Sequence, residues 1–282
     1  MRIVSTVKGL RDLLLKPIEN STLGFVPTMG ALHSGHISLV KKSCSENDYT
    51  ICSIFVNPTQ FNNTQDLKKY PSQLDADLAL LEESGCDFVF TPSLEEIYPE
   101  DYQPKRYSFG LLENVMEAVN RPGHFNGVAM VVSRLFSIVK PQKAYFGEKD
   151  FQQLAIVKSM VIQDKIPVQI ISCPIVREPS GLAMSSRNAR LNEHQRRASS
   201  RIYSRLCEVL KMQPDYTIAE IKNWVLQEFK EDSDLELEYF EISDPNTLTP
   251  SLNWSSSATH IACIAIFVGE VRLIDNILLS ID

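Results

Sequence analysis

Two histidines and two glycines lie close together in the stretch PTMGALHSGH near the start of the chain. Gly30 and Gly35 have the spacing of a P-loop, but His36 and an isoleucine stand where that pattern has lysine and a hydroxyl residue. A zinc site would need a third ligand besides His33 and His36, and the sequence offers no evident one. An ordinary turn also stays open, because H-x-G-H alone is a weak signal.

The position of this stretch favours a phosphate site of another design. It follows a predicted strand at 23–27 and leads into a predicted helix, HISLVKKSCSEN. Parallel α/β sheets bind ligands outside the carboxyl ends of their strands, and helix N-termini attract anions. His33 and His36, three residues apart at a helix start, can face the same way and donate to phosphate oxygens.

The first half of the chain alternates strand patterns with helix patterns. The predicted strands are 23–27, 49–56, 86–90, 143–147 and 168–172. Helical spacing is found in SQLDADLALLEESG and in VAMVVSRLFSIV, whose apolar stripe comprises Val128, Val131, Val132, Leu135, Phe136 and Val139. This alternation predicts an α/β domain with a Rossmann-like parallel sheet wrapped by helices.

The pattern changes after Cys173. Two helices are predicted, the first capped by Asn192 with Gln195, the second by Thr217 with Glu220. Two strand-like stretches follow, LELEYFEIS and ATHIACIAIFVGEVRLID. We therefore predict a Rossmann-like parallel-sheet domain over 1–175 and a smaller C-terminal α+β domain over 176–282.

Composition excludes some classes of function. A net charge of −7 over 282 residues argues against nucleic acid as the main partner, because phosphate contacts need a basic face. The longest apolar run, IACIAIFV, is too short to span a membrane, and the N-terminal segment is too charged for a signal peptide. The six cysteines are scattered, and most lie in apolar stretches, which suits a reducing compartment. We expect a cytoplasmic enzyme.

A second motif, GLAMSSRNARL (181–191), combines hydroxyl residues, a methionine and Arg187. Alone it is typical of a solvated loop. Together with H-x-G-H it resembles the two-part signature of nucleotidylyltransferases and class I aminoacyl-tRNA synthetases. Those enzymes hold ATP between the two motifs and direct attack at its α-phosphate.

Other polar segments help to identify the second ligand and the family within this group of enzymes. IFVNPTQF ends a predicted strand with Asn57 and Gln60, neutral amides that suit a hydroxyl or carboxylate ligand. Lys149 and Asp150 alone would fit a solvated helix start. Of the amides that follow them, Gln152 and Gln153, we expect one to be exposed and one to face the site.

Taken together, these segments resemble the pantothenate synthetase (pantoate–β-alanine ligase) family. The matching stretches are PTMGALHSGH, NPTQF, RPGHFNGV, AYFGEKDFQQL, REPSGLAMSSRN and VGEVRLIDN, which span most of the chain. The sequence departs from the family pattern at Ser72, Ala118, Met130 and Ser180. None of these four positions is a nucleotide or pantoate residue that the resemblance implies.

The resemblance implies a ligase of pantothenate biosynthesis that works in two steps. ATP and pantoate give pantoyl adenylate and pyrophosphate, and the amine of β-alanine then attacks the acyl carbon to release AMP and pantothenate. It also implies Mg²⁺ carried mainly on the ATP phosphates, and it assigns no residue as a metal ligand. A homodimer built through the larger domain is implied too, with the smaller domain as a lid over the active site.

The resemblance also implies the site residues. Those expected to bind ATP are Met29, Gly30, Ala31, Leu32, His33, Ser34, Gly35, His36, Gly147, Glu148, Lys149, Asp150, Val176, Met184, Ser185, Ser186 and Arg187. Gln60 and Gln153 would bind pantoate, and Gln60 would also lie near β-alanine. His36 would serve as a general acid or as a hydrogen-bond donor to phosphate.

The physical chemistry agrees with these roles. Adenylation moves negative charge onto the departing pyrophosphate, where fixed donors help most. The expected donors are His33, His36, Lys149, Ser185, Ser186 and Arg187. The carboxylate of pantoate is itself the nucleophile and needs no base. The main contribution of the protein to this attack is therefore to position the carboxylate against ATP.

Two rival functions stay open. Another nucleotidylyltransferase could pass a nucleotide to a phosphate ester or sulfhydryl acceptor, although such an acceptor would call for more basic residues than NPTQF and DFQQ provide. A non-catalytic ATP-binding sensor could keep the fold, although the set of expected catalytic residues is intact.

Overall fold

The computed structural model describes residues 1–14, 21–61, 67–68, 70–213, 215–254 and 259–280. Ala258, the first residue of the last predicted strand stretch, lies outside them. The chain divides into two compact units. The first contains Met1–Phe109, Arg121–Glu148 and Gln153–Pro174, and the second contains Gly110–Asn120, Lys149–Gln152 and Ile175–Asp282.

The first unit is built on a six-stranded sheet in the order β1-β4-β3-β2-β5-β6, and its neighbouring strands are paired in parallel. Its strands are β1 Arg2–Val4, β2 Leu23–Thr28, β3 Tyr49–Ile54, β4 Phe88–Phe90, β5 Lys143–Gly147 and β6 Gln169–Cys173. The predicted α/β class with a parallel sheet is confirmed. Strand β1 was not predicted from the sequence.

Helices alternate with these strands along the chain. They are α1 Val7–Leu14, α2 Ser34–Glu46, α3 Leu74–Glu83, α4 Leu94–Ile97, α5 Glu117–Asn120, α6 His124–Val139 and α7 Phe151–Asp164. The stripe predicted for α6 is buried at all six of its positions. Of these helices, α5 belongs to the second unit, together with the first two residues of α7.

The strand order creates a switch point beside β2. The chain builds β3 and β4 on one side of β2 and then crosses to build β5 and β6 on the other. The strands β3, β2 and β5 are therefore neighbours, and they end at Ile54, Thr28 and Gly147. Ligands of open α/β sheets bind outside the carboxyl ends of the strands at such a point.

The second unit has an antiparallel sheet in the order β7-β8-β9 and two long helices. These elements are α8 Glu193–Met212, α9 Ile218–Lys230, β7 Glu236–Ser243, β8 His260–Val268 and β9 Val271–Leu279. Both predicted capping boxes are present, at Asn192 with Gln195 and at Thr217 with Glu220. The last predicted strand stretch is two strands, because Gly269, at φ +59°, turns the chain between β8 and β9.

Two further observations concern the whole described chain. The six cysteines are free thiols, and four of them are buried. Within the described ranges, no helix has both the length and the apolar character needed to cross a membrane.

Helix α6 packs against the short 3-10 turn Pro58–Gln60 at Gly127. A Cβ atom added to Gly127 would lie 2.4 Å from the carbonyl oxygen of Thr59 and 3.2 Å from the nitrogen of Gln60. Because both obstacles are backbone atoms, a side chain at this position would push the turn away from the helix.

We therefore expect Gly127→Ala to lower the free energy of unfolding by about 1–3 kcal/mol, the usual cost of overpacking. Urea denaturation measures this change. Gly147→Ala is the control, because a Cβ there meets no described atom within 4 Å and its stability should stay near that of the parent protein. Equal denaturation midpoints for the Gly127 variant and the parent would contradict the packing described here.

Candidate active site

The loop between β2 and α2 turns through two left-handed residues. Gly30 has φ +78° and Ala31 has φ +50°, after which His33 is extended and caps helix α2. A Cβ on Gly30 would approach Asp77 Oδ2 to 3.0 Å and the Ile54 side chain to 3.1 Å. Glycine therefore allows both the turn and the close contact.

The carboxylate of Asp77 holds this loop from helix α3. Its Oδ2 accepts from the Ala31 nitrogen at 2.8 Å, and its Oδ1 accepts from the Leu32 nitrogen at 2.7 Å. Asp77 is only 1% exposed. Asp77 was not predicted from the sequence, although an acidic residue one helical turn before the buried Leu81 is a usable signal.

His33 and His36 lie side by side at the start of α2. Their ring centroids are 4.1 Å apart, at an interplanar angle of 39°. His33 Nδ1 accepts a hydrogen bond from the Gly35 nitrogen at 3.2 Å, so a neutral His33 ring carries its proton on Nε2. The helix N-terminus and two imidazole rings together form a site suited to an anion.

Asn57 shapes the turn that follows β3. Its Oδ1 accepts from the Thr59 hydroxyl at 3.1 Å and the Tyr98 hydroxyl at 3.2 Å, and its Nδ2 donates to the Gly127 carbonyl at 3.3 Å. Burial raises the pKa of Tyr98 to about 12, which keeps this hydroxyl protonated at neutral pH. Both ends of the Asn57 amide are thus bound within the protein.

Gln60 is held through its backbone by the RPGHFNGV segment. Its carbonyl accepts from His124 Nδ1 at 2.8 Å and from the Arg121 guanidinium at 3.5 Å. The residue is 8% exposed, and none of the described residues forms a hydrogen bond with its side-chain amide. This amide is therefore suited to a ligand.

The two adjacent glutamines at the start of α7 differ in environment. Gln152 is buried, its Nε2 donates to the carbonyls of Leu112 and Val115, and its Oε1 accepts from the Glu117 nitrogen. Gln153 is half-buried. The expectation that one of the pair is exposed was wrong, because the Gln152 amide is needed to hold the segment before α5.

Glu117 connects this segment to strand β9. Arg272 donates to its two carboxylate oxygens at 2.9 and 2.7 Å, and also to Glu238. Burial alone would lower the pKa of Arg272, but its hydrogen bonds with the two carboxylates raise that pKa above its usual value. Within the second unit, a largely buried charged cluster therefore links the segment Gly110–Asn120 to strand β9.

Lys149 is the cation nearest the end of β5 in sequence. Its ammonium is 3.9 Å from Asp150 Oδ2, and its side chain is 17% exposed against 48% for Asp150. The carbonyl of Lys149 accepts from Asn276 Nδ2 at 3.0 Å.

The Met-Ser-Ser-Arg motif follows a short hairpin. Its two arms meet where the Met184 nitrogen donates to the Val176 carbonyl at 2.9 Å, and Gly181 turns the chain at φ +90°. Ser185 caps the 3-10 helix Ser186–Arg190, its hydroxyl accepting from the Arg187 nitrogen at 3.3 Å.

The predicted site residues fall in both units. The first unit contains Met29–His36, Gln60, Gly147, Glu148 and Gln153, and the second contains Lys149, Asp150, Val176 and Met184–Arg187. The first set offers a helix N-terminus with imidazoles and amides, and the second offers an ammonium, a guanidinium and hydroxyls. Both sets are suited to anionic ligands such as phosphates and carboxylates.

Curated pantothenate synthetases are similar to this chain over nearly its whole length. A pantothenate synthetase of Bacteroides fragilis is 49% identical over 278 residues, which cover 98% of each protein. Another, from Azobacteroides pseudotrichonymphae, is 52% identical over 279 residues, which cover 98% of this chain and 99% of the relative.

Solved structures are also similar. The pantothenate synthetase of Thermus thermophilus has a TM-score of 0.90 at 42% identity, covering 98% of this chain and 99% of that one. The pantoate-beta-alanine ligase of Francisella tularensis, complexed with beta-gamma ATP and beta-alanine, has a TM-score of 0.82 at 38% identity, covering 99% and 97%. The family model described as pantoate-beta-alanine ligase matches residues 2–278. This chain belongs to the pantoate-beta-alanine ligase family.

Proposed function

We infer that this chain catalyses the ATP-dependent condensation of pantoate with β-alanine to form pantothenate. The observation that carries this inference is the match of the family model across residues 2–278. The H-x-G-H turn at the N-terminus of α2 supports it, because this is where a parallel α/β sheet binds phosphate. The complex of the Francisella tularensis relative with beta-gamma ATP and beta-alanine is consistent with two of the three substrates.

The reaction proceeds through an acyl adenylate. A carboxylate oxygen of pantoate attacks the α-phosphorus of ATP, and the bond to the bridging oxygen breaks to release pyrophosphate. The amine of β-alanine then attacks the acyl carbon, loses a proton, and displaces AMP. The intermediate is prone to hydrolysis, so exclusion of water favours the second step.

The ATP ligands are the residues that the family resemblance implies. They are Met29–His36, Gly147–Asp150, Val176 and Met184–Arg187. Six of their side chains donate to the triphosphate: His33, His36, Lys149, Ser185, Ser186 and Arg187. Donors fixed before the reaction stabilise the charge that develops on pyrophosphate without reorganising during the step.

Pantoate binds through the amides of Gln60 and Gln153, and β-alanine binds near Gln60. A carboxamide both donates and accepts, which matches a hydroxy acid with an uncharged hydroxyl group. The buried position of Gln60 and the anchoring of its carbonyl by His124 support this role, because a fixed backbone gives the side chain a defined reach.

Mg²⁺ enters with ATP in this proposal. In the described part of the chain, no cluster of three or more histidine, cysteine or acidic side chains could hold a metal ion. Among the proposed nucleotide residues, Glu148 and Asp150 carry carboxylates. One or two carboxylates with substrate phosphates form a donor set that Mg²⁺ accepts, so these residues fit the ion. When bound, it would neutralise phosphate charge.

A homodimer, a cytoplasmic location and a lid function for the smaller domain stay predictions. The lid follows from the family resemblance and from the need to protect a reactive adenylate from water.

Isotope exchange tests the proposed reaction. With pantoate and Mg²⁺ present and β-alanine absent, the protein should exchange labelled pyrophosphate into ATP, because adenylate formation is reversible before the amine arrives. A ligase that forms an acyl phosphate would release ADP without this exchange, and a nucleotide sensor would do neither. Absence of pantoate-dependent exchange in folded protein would refute the proposal.

His36→Ala should slow this exchange by about 10²–10³-fold, the cost of losing one donor at a developing charge in a well-studied precedent. His194→Ala is the control, because the His194 side chain is 72% exposed on helix α8. Rates and thermal midpoints should both be measured. A fall in thermal midpoint that parallels the fall in rate would instead indicate a structural histidine.

Asp77→Asn should raise the KM for ATP and lower the exchange rate while leaving the KM for pantoate near the parent value. An amide has only one acceptor oxygen, so one of the nitrogens of Ala31 and Leu32 would lose its partner. Asp75→Asn makes the same change at an exposed position on the same helix turn and should have little effect. An unchanged KM for ATP together with an unchanged rate in the Asp77 variant would exclude this loop-holding role.

A further inference from the structure

The stretch VGEVRLIDN ends in two buried polar residues on strand β9. Asp275 is 4% exposed and Asn276 is 5% exposed. Neither residue belongs to the set assigned to ATP, pantoate or β-alanine. Two adjacent buried polar side chains are costly unless they are bonded, so their partners indicate what they do.

Asp275 binds Arg177 at the base of the hairpin that leads to Met184. Its Oδ2 accepts from Arg177 Nη1 at 2.6 Å, and its Oδ1 accepts from Nη2 at 3.0 Å. The guanidinium also donates to the Gly181 carbonyl at 3.1 Å and stacks 3.6 Å above the Tyr203 ring. A two-point ion pair with ring stacking fixes the direction of a guanidinium.

Asn276 binds Lys149, which is proposed to contact the ATP phosphates. Its Nδ2 donates to the carbonyl of Lys149 at 3.0 Å, while its own carbonyl accepts from Arg177 Nη2 at 3.3 Å. Electrostatic attraction also links Asp275 to Arg177 and to Lys149. Burial raises the pKa of Asp275, while Arg177 and, more weakly, Lys149 oppose that rise by attracting its carboxylate.

We propose that Asp275 and Asn276 are positioning residues that set the spacing between Lys149 and the Met184–Arg187 segment. The inference rests on the proposed function, which assigns both segments to the ATP phosphates. Strand β9 contacts Lys149 directly, through the side-chain amide of Asn276. It reaches the second segment through the ion pair of Asp275 with Arg177, which follows Val176, the residue whose carbonyl the Met184 nitrogen binds.

Spacing matters in this reaction because both segments are proposed to contact the same triphosphate. A displacement of about 1 Å in a group that orients the reaction can cost about 10²-fold in rate. Lys149 has a long flexible side chain, so an anchored backbone carbonyl narrows the volume that its ammonium samples. The contact at Lys149 thus acts on the rate through the ammonium.

A double-mutant cycle on pyrophosphate exchange tests this role. Asn276→Ala should slow exchange by about 10-fold or more at saturating ATP and leave the KM for pantoate unchanged. Lys149→Ala keeps the carbonyl that Asn276 binds but removes the ammonium. In that background Asn276→Ala should therefore have no further effect, which is the signature of two residues that act as one unit.

Asn253→Ala is the matched control, because this asparagine is exposed in the same unit and should leave exchange unchanged in both backgrounds. Enzyme concentration is raised for the Lys149→Ala proteins so that their rates stand above background, and thermal midpoints are recorded for every variant. If Asn276→Ala fails to fold, Asn276→Ser replaces it in the cycle, since its shorter side chain does not span to the Lys149 carbonyl.

The outcomes distinguish a failure of the positioning role from a failure of the proposed function. An equal fold-reduction by Asn276→Ala in both backgrounds would identify a purely structural asparagine and overturn the positioning role. Parent-like exchange in Asn276→Ala or in Lys149→Ala would overturn it as well. Absence of exchange in the parent protein would overturn the proposed function, and this inference with it.

Discussion

The backbone between β2 and α2 depends on two hydrogen bonds that it donates to Asp77. The chain there passes through a left-handed glycine and a left-handed alanine, the second of which is an unfavourable conformation for a residue with a Cβ. A buried carboxylate that accepts from both Ala31 and Leu32 offsets this strain and satisfies its own charge. The helix N-terminus and the imidazoles of His33 and His36 are oriented by that turn.

The same arrangement recurs at the other proposed ligands. Gln60 is held by its carbonyl, which His124 binds, and by the close approach that Gly127 allows. Lys149 is held by its carbonyl, which Asn276 binds. In each case a buried side chain bonds the backbone and leaves the side chain that is proposed to bind a ligand out of the contact. Backbone anchoring fixes the position of a residue and leaves its side chain available for the proposed ligand.

Sequence patterns were sufficient for the elements whose residues satisfy each other locally. Both capping boxes and the apolar stripe of α6 were predicted because the pattern and the structure involve residues within a few positions. Strand β1 escaped prediction because it has only three residues, two of them exposed, and pairs with β4, which is distant in sequence. The division of the last strand stretch at Gly269 was missed because its apolar residues run almost unbroken across the turn.

The residues of the candidate site also differ in whether their contacts are local in sequence. The H-x-G-H turn and the Met-Ser-Ser-Arg motif were found because residues close in sequence supply several donors each. Asp77 bonds a loop that lies 45 and 46 residues before it, and Asn276 bonds a carbonyl that lies 127 residues before it. No local pattern reports such contacts. The stretches RPGHFNGV and VGEVRLIDN contribute buried side chains that bond distant segments, His124 from the first and Asp275 and Asn276 from the second.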